Sequence, residues 1–494
     1  MKKPSVGIIG AGPGGLACGM ILAHKGFDVT VFEKEKEVGG RNAPIKLKGY
    51  TFDTGPTFLM MKFVLDNIFK MTGRKSSDYL KVKRLEPMYK LCFNDFEFNP
   101  TTDKKKMAKE MNRVFPGNAE GLKRFYVKEK KRYEMLAPCL EIDYSSFGKF
   151  FTPRFISALP YLYTGNSIFD NLGNYFKEDD LRLCFTFQSK YLGMSAWECP
   201  GAFTMIPYVE HAFGIYHVMG GLNQISKKMA DVIKEDGGKV QLKKKVKRVI
   251  VEDGVAKGVV LSNGSKKYFD YVVVNADFAH AMTELFAPGE LSKYSKKNLE
   301  KKKYSCSTFM LYLGVDKVYK SLPHHSIYFA KDYKTNVKEI FDTKKLSKDI
   351  SFYVQNPSIS DKSLAPKGKS TIYILVPVPN QKSKINWKKQ KKKYRELVIK
   401  ALEKRTPMKD IRKHIEVEKV ITPDEWEKDY SVFYGATFNL AHNLTQMLYF
   451  RPHNRFEEVE NMYIVGGGTH PGSGLPTIYE SGRISAELIL KNAR

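Results

Sequence analysis

Long apolar runs are missing from this sequence. No window in its 494 residues approaches the roughly 18 uninterrupted apolar positions of a membrane-spanning helix. The chain is therefore expected to be soluble, or to lie on a membrane without crossing it. The opening MKKPSVGIIG joins two lysines to apolar residues, but Val6 to Ile9 is too short and too interrupted by glycine for a secretory signal. Cysteine is sparse. Cys18, Cys92, Cys139, Cys184, Cys199 and Cys306 form no Cys-x-x-Cys pair and have no histidine at zinc spacing. That argues against a disulfide scaffold and a zinc site, and predicts a chain without metal in a reducing, cytoplasmic setting.

Acid is also in short supply. Against 82 Lys+Arg stand 53 Asp+Glu, a formal charge of +29 that favours anionic surfaces. No DNA- or RNA-binding motif accompanies the charge, so a nucleic-acid partner is not expected. Two readings remain: attraction to an anionic membrane surface, or solvation of a lysine-rich exterior. Lys388 to Lys393 fits the second, because Tyr394, Leu397, Val398, Ala401 and Leu402 beside it have the spacing of one buried helix stripe. Internal repeats and low-complexity linkers are absent too.

What is present is globular. Hydrophobic residues make up 42% and aromatics 13%, spread from end to end, in a length suited to two or three domains. Val6-Gly7-Ile8-Ile9 reads as a buried parallel strand, and Gly10-Ala11-Gly12-Pro13-Gly14-Gly15 follows it at once. Leu16, Met20, Ile21 and Leu22 carry a helix up to Gly26, and Val29 to Phe32 is the next strand. In this β-α-β unit Gly10 permits the turn, Gly12 lets the backbone approach a pyrophosphate, and Gly15 lets helix and strand pack closely. The helix N-terminus meets the phosphate charge. Glu33, about 20 residues on, can accept hydrogen bonds from a ribose hydroxyl.

Such a unit suits NAD or FAD. Near the other end Met462 to Val465 reads as a strand running into Gly466-Gly467-Gly468-Thr469-His470-Pro471-Gly472-Ser473-Gly474-Leu475-Pro476, with a helix after it. A second backbone-rich acceptor at that distance serves a flavin, whose ribityl chain and ring extend away from the first site, so the cofactor is expected to be FAD.

These pieces resemble a family, the bacterial-type carotenoid desaturases acting on phytoene and diapophytoene, with carotenoid isomerases and retinol saturases as relatives. The resemblance lies in GIIGAGPGGLA, GGRNAPIKLKGYTFDTGPTFL, VFPGNAEGLKRFY, GGLNQISKKMADVIKEDGGKV, DYVVVNAD, GATFNLAHNLTQMLYFRP and NMYIVGGGTHPGSGLP, which span nearly the whole chain. It implies that Gly10, Gly12, Pro13, Gly14, Gly15, Glu33, Lys34, Gly40, Arg41, Pro56 and Thr57 hold the flavin. Val246 would meet the adenine through its backbone. Asn275, Ala276 and Asp277 would lie near the crevice, and Gly467, Gly468, Thr469, Pro476 and Thr477 at the ribityl and ring end. The sequence departs from the family at Val218, where a proline is usual before Met219-Gly220-Gly221, and that leaves the identity of the polyene open.

The implied fold is α/β: a Rossmann-like FAD domain assembled from residues 1–72, 214–285 and 431–494, and an α+β substrate and membrane-association domain from 73–213 and 286–430. Val240 to Val260 reads as hairpin-like strands turning at Asp253-Gly254, with a further turn at Asn263-Gly264. Phe147, Phe150, Phe151, Phe155, Tyr161, Tyr163, Phe169, Tyr175 and Phe176 crowd into about thirty residues beside Lys149, Arg154 and Lys177. They suit a surface lying peripherally in lipid headgroups, an aromatic core, or the wall of a polyene tunnel.

By the same resemblance the reaction is hydride transfer from an allylic carbon of an apolar isoprenoid to the flavin, with loss of a proton from the neighbouring carbon. Oxygen or a quinone would then reoxidise the flavin. The catalytic base is not legible. His470, His217, Glu210 and His211 are the candidates, each also a common structural hydrogen-bonding type. A carotenoid isomerase, a saturase or oxidase of another isoprenoid, and a non-catalytic prenyl-lipid carrier stay open as alternatives.

Overall fold

The computed structural model describes residues 3–163 and 165–493. Strand β1 (Ser5–Ile9) is followed by helix α1 (Pro13–His24) and strand β2 (Asp28–Phe32). Three more strands, β3 (Lys239–Gln241), β4 (Tyr271–Val274) and β5 (Met462–Ile464), join them in one parallel sheet of order β3-β2-β1-β4-β5. The register is direct: Ile9 lies beside Phe32 on one side and Val274 on the other. Pairing over hundreds of residues of sequence is sustained by burial, since Val6, Ile8, Val29, Val31, Val272 and Val273 are all fully enclosed.

Helix α2 (Asn223–Glu235) and helix α3 (Leu475–Asn492) cover this sheet with α1, sharing a core that includes Leu16, Ile21, Ile225, Met229, Tyr479 and Ile489. Helices α1 and α3 approach closely because position 482 is glycine; a Cβ there would stand 2.5 Å from the Gly14 carbonyl oxygen. Behind the sheet, Val246–Glu252, Val255–Leu261 and Lys266–Tyr268 form an antiparallel three-stranded layer. Its first turn is Asp253-Gly254, both residues at positive φ. Val240 and Gln241, expected within that hairpin, instead extend the parallel sheet together with Lys239.

A second, seven-stranded sheet contains the long strand Ser307–Val315, which pairs with Ser370–Val378 and, at the sheet edge, with Ile415–Ile421. Every residue of Ser307–Val315 is buried. Phe309, Leu311, Leu313 and Val315 pack on Trp387, Tyr394, Val398 and Leu402 of the helix Trp387–Arg405, whose lysines point outward. The alternate residues, Thr308 and Met310, face the opposite way into a cavity, as the two-residue period of a strand requires. A helical layer that includes Ala119–Leu140 and Met205–Phe213 closes the far side around Phe125, Phe176, Phe185 and Tyr208.

Candidate active site

A cavity of about 1640 Å³ runs from the ends of β1, β2 and β4 to the face of the second sheet. Small-ligand sites usually fall in the range of about 300–1,000 Å³, so this space accommodates a dinucleotide and a second extended molecule.

At the dinucleotide end the turn after β1 is locked from several directions. Gly10 has φ +96°, and a Cβ there would lie 2.3 Å from the Asn275 carbonyl oxygen. Its N–H donates to Phe32 O at 2.7 Å, its carbonyl accepts from Asn275 Nδ2 at 3.0 Å, and Asn275 N donates to Ile9 O at 2.8 Å. Glu33 is buried and oriented by the N–H groups of Ala11 (2.8 Å) and Glu35 (3.0 Å), with lone pairs left for a ribose. Helices α1 and α3 both begin without a side-chain cap and without an acid in the first turn. Residues at both starts, Gly12-Pro13 and Gly474 to Ile478, line the cavity, so free N–H groups are offered to phosphate and flavin edges from two sides.

Arg41 bridges the two ends. Its Nη1 donates to Thr437 O at 2.5 Å. With the Asn439 amide oriented so that its nitrogen donates to Asp277 Oδ2 and its oxygen accepts from Arg41 Nη2, each at 3.0 Å, Arg41, Asn439 and Asp277 form one network. Burial raises the Asp277 carboxyl to about 6 although Arg41 pulls it down, and burial lowers Arg41 although Asp277 opposes it. A dinucleotide phosphate would supply the further negative charge that this guanidinium lacks.

Of the residues expected to hold the flavin, Gly10, Gly12, Pro13, Glu33, Lys34, Gly40, Arg41, Pro56, Thr57, Val246, Asn275, Ala276, Gly467, Pro476 and Thr477 line the cavity. Gly14, Gly15, Gly468 and Thr469 stand behind its wall; Thr469 is buried and its hydroxyl donates to Pro452 O. Arg451, which sequence inspection did not single out, fixes this second segment by donating to Gly467 O (2.7 Å), Thr469 O (3.0 Å) and Gln446 O (3.0 Å). It belongs to the YFRP stretch, but nothing in that stretch signals a carbonyl clamp.

The other end is apolar. Phe187, Phe203, Met310, Ile327, Phe329, Leu375 and Pro377 line it, and its few polar groups include Lys190, Tyr353 and His442. His442 is satisfied as a neutral ring: Nδ1 donates to Leu192 O at 3.0 Å and Nε2 accepts from Ser473 N at 3.1 Å, while burial lowers it to about 3. Burial also lowers Lys190 to about 8; its ammonium donates to Ser351 Oγ at 2.9 Å.

None of the four candidate bases lines the cavity. Glu210 accepts from Tyr89 (2.9 Å) and Gln188 (2.7 Å), and burial raises it to about 7. His211 contacts Tyr126 Oη at 3.2 Å and stacks on Phe185. His217 pairs with Asp361 at 3.0 Å. His470 packs edgewise on Tyr144, and burial lowers it to about 3. Two loops with exposed backbone donors, a buried carboxylate beside the first and an adjoining apolar chamber make up the site of an FAD-dependent oxidoreductase.

Comparison with known proteins supplies the family. Residues 13–490 match the flavin containing amine oxidoreductases, and the chain belongs to that family. It is 55% identical over 99% of its length to a 4,4'-diapophytoene desaturase (4,4'-diapolycopene-forming) of Methylomonas sp, covering 95% of that protein. It is 36% identical to an all-trans-zeta-carotene desaturase of Myxococcus xanthus, over 98% of this chain and 93% of the other. Among solved structures, putrescine oxidase bound to putrescine shares the fold with a TM-score of 0.64 at 14% identity, over the full length of both chains.

Proposed function

We propose that this protein is a desaturase of 4,4'-diapophytoene, introducing conjugated double bonds into an acyclic isoprenoid in carotenoid biosynthesis. The observation that carries the reading is the continuity of the dinucleotide end with a long chamber walled by Phe, Met, Leu and Pro side chains. An amine substrate of the kind bound by putrescine oxidase would meet there the amine of Lys190, which among the described residues is hydrogen-bonded to Ser351 and to no carboxylate. The relative at 55% identity acts on the hydrocarbon chain named above.

When bound, FAD supplies the hydride acceptor. The protein's contribution is positioning and exclusion of water. Met310 and Leu375, directly opposite each other on paired strands, form the floor, Phe187, Phe203 and Phe329 wall the chamber, and the hydrocarbon is held by shape and dispersion alone. Val218, the departure from the family pattern, is buried and pairs with Val82 in a strand ladder away from the cavity wall.

We further infer that the protein takes this substrate from an anionic membrane. Among the described residues no helix is long and apolar enough to cross a bilayer. The aromatic segment divides: Phe155, Tyr175 and Phe176 are core, whereas Phe147 (50% exposed) and Phe151 (69%) stand outward with Ile156, Leu159 and Phe450. Lys149 and Arg154 flank them, the composition of an interfacial anchor. The cluster beneath, Leu136, Phe155 and Met205, reaches the cavity through Met205. The proposal is tested by producing the protein with 4,4'-diapophytoene and recording product spectra. Lengthened conjugation supports it; unchanged substrate with flavin bound contradicts the substrate assignment.

A further inference from the structure

A row of histidines crosses the protein beside the cavity. It begins at the wall, where the Thr57 and Tyr353 hydroxyls are 2.7 Å apart and both residues line the chamber. The Tyr353 hydroxyl also lies 2.7 Å from His325 Nδ1. The ring of His325 is 4.4 Å from that of His324, which is 4.8 Å from that of His217. His217 Nε2 then meets Asp361 Oδ2 at 3.0 Å. Asp361 also accepts from Gly220 N at 2.6 Å and from the backbone and hydroxyl of Ser363, an exposed residue.

The three rings are buried, yet His325 Nε2 and both ring nitrogens of His324 have no hydrogen-bond partner among the described residues. Buried polar atoms of this kind cost stability, and an apolar side chain of the same shape would serve packing better. A single water in each gap would supply these nitrogens with the partners they lack. Burial holds His324 and His325 well on the neutral side, helped by their mutual repulsion and that of His217. A neutral imidazole accepts a proton on one nitrogen and gives one up from the other. Charge has a place to rest at the far end. Although its burial acts to raise it, hydrogen bonds from His217, Ser363 and Gly220 keep the Asp361 carboxyl below its usual range. The other charged groups facing this row are Asp53, which interacts with His217 and Asp361, and Lys83, which lies opposite His217 in a strand ladder.

We propose that Tyr353, His325, His324 and His217 form a relay that carries the proton released in desaturation from the chamber to the His217–Asp361 pair. The inference rests on the desaturase reading above. Each dehydrogenation removes a hydride with its electron pair to the flavin, and a proton from the adjacent carbon, whose C–H electrons become the new double bond. Tyr353 Oη takes that proton as its own passes to His325 Nδ1. His325 Nε2–H passes on through a bridging water to His324, and the second His324 nitrogen passes its proton through another water to His217. The ionised Asp361 stabilises the resulting imidazolium, which loses its proton to solvent at the Asp361–Ser363 surface. Tyr353 touches the chamber; His324 and His325 act through it as positioning and relay residues.

The test uses flavin-loaded full-length protein in vesicles containing 4,4'-diapophytoene, where wild-type turnover secures the underlying reading. His324→Phe keeps the ring and removes the nitrogens. Turnover is expected to fall at least about tenfold, as for loss of a proton-transfer group, with flavin content and melting temperature retained and the solvent deuterium isotope effect increased. Tyr353→Phe cuts the relay at the wall and decides the matter if the first variant fails to fold. Wild-type turnover and isotope effect in both variants, or activity lost only in step with flavin and stability, overturns the relay. An inactive wild type counts against the desaturase reading instead.

Discussion

The guanidinium of Arg451, wholly enclosed, donates through Nη2 to the carbonyl oxygen of Gly467 at 2.7 Å. Among the described residues no carboxylate pairs with it, and burial lowers it to about 9. The protein keeps this cation in its interior to tie carbonyls of the Leu440 to Gln446 stretch to those of Gly467 and Thr469. Arg451→Met is expected to cost at least about 1–3 kcal/mol of stability and to release the Gly467 loop from the flavin. Thermal melts with and without added FAD check this; a variant that melts and retains flavin like the wild type contradicts it.

Glu33 orders the first loop as Arg451 orders the last. Removing its carboxylate in Glu33→Ala leaves the Ala11 and Glu35 N–H groups without their acceptor and deprives the ribose of one. FAD affinity should weaken about 10–100-fold, the equivalent of one to two charged hydrogen bonds. Quenching of flavin fluorescence on titration into apoprotein measures it. Because the change acts on the adenosine end, turnover at saturating FAD should hold.

Glu210 gives a pH signature. Burial raises its carboxyl from 4.5 to about 7 against the opposing hydrogen bonds from Gln188 and Tyr89. The folded state thus retains a proton that the unfolded chain loses above 4.5. The group's contribution to stability is complete below that pH and declines as pH rises through 7. Glu210→Gln fixes the neutral form, so it should match the wild type near pH 5 and exceed it at pH 8 by about 1–3 kcal/mol. Denaturant titrations at the two pH values decide; equal differences at both contradict the assignment.

Membrane attachment is addressed by introducing negative charge into the exposed apolar patch. Phe147→Glu with Phe151→Glu changes two side chains that extend outward, so folding should be unaffected. Co-sedimentation with anionic vesicles should drop severalfold relative to the wild type. Wild-type protein that stays in the supernatant would dispose of the membrane reading altogether.

The local parts of this architecture were legible in sequence because they are set by neighbours. The turn from Gly10 to Gly15 and the acid at 33 lie within one β-α-β unit, where spacing alone determines what meets the ligand. Strand β3 was misread because Val240 sits close to a hairpin in sequence while its pairing partner, Val31, lies over two hundred residues away. The Arg41–Asn439–Asp277 network joins three distant segments and carries no periodicity of its own. Likewise Ser307–Val315 is apolar at nearly every position, so its pattern could not say that Met310 faces a chamber while Leu311 faces a helix. The histidines were conspicuous as residue types. Their positions behind the wall follow from packing that no single stretch encodes.

The central claim is that an acyclic hydrocarbon gives its hydride to flavin held between the two glycine-rich loops. Anaerobic mixing of the flavin-loaded protein with 4,4'-diapophytoene tests it most directly. The visible flavin absorption should bleach as a product with longer conjugation forms, and return on exposure to oxygen or a quinone. Flavin that stays oxidised while the hydrocarbon is unchanged, or merely isomerised, would contradict the account.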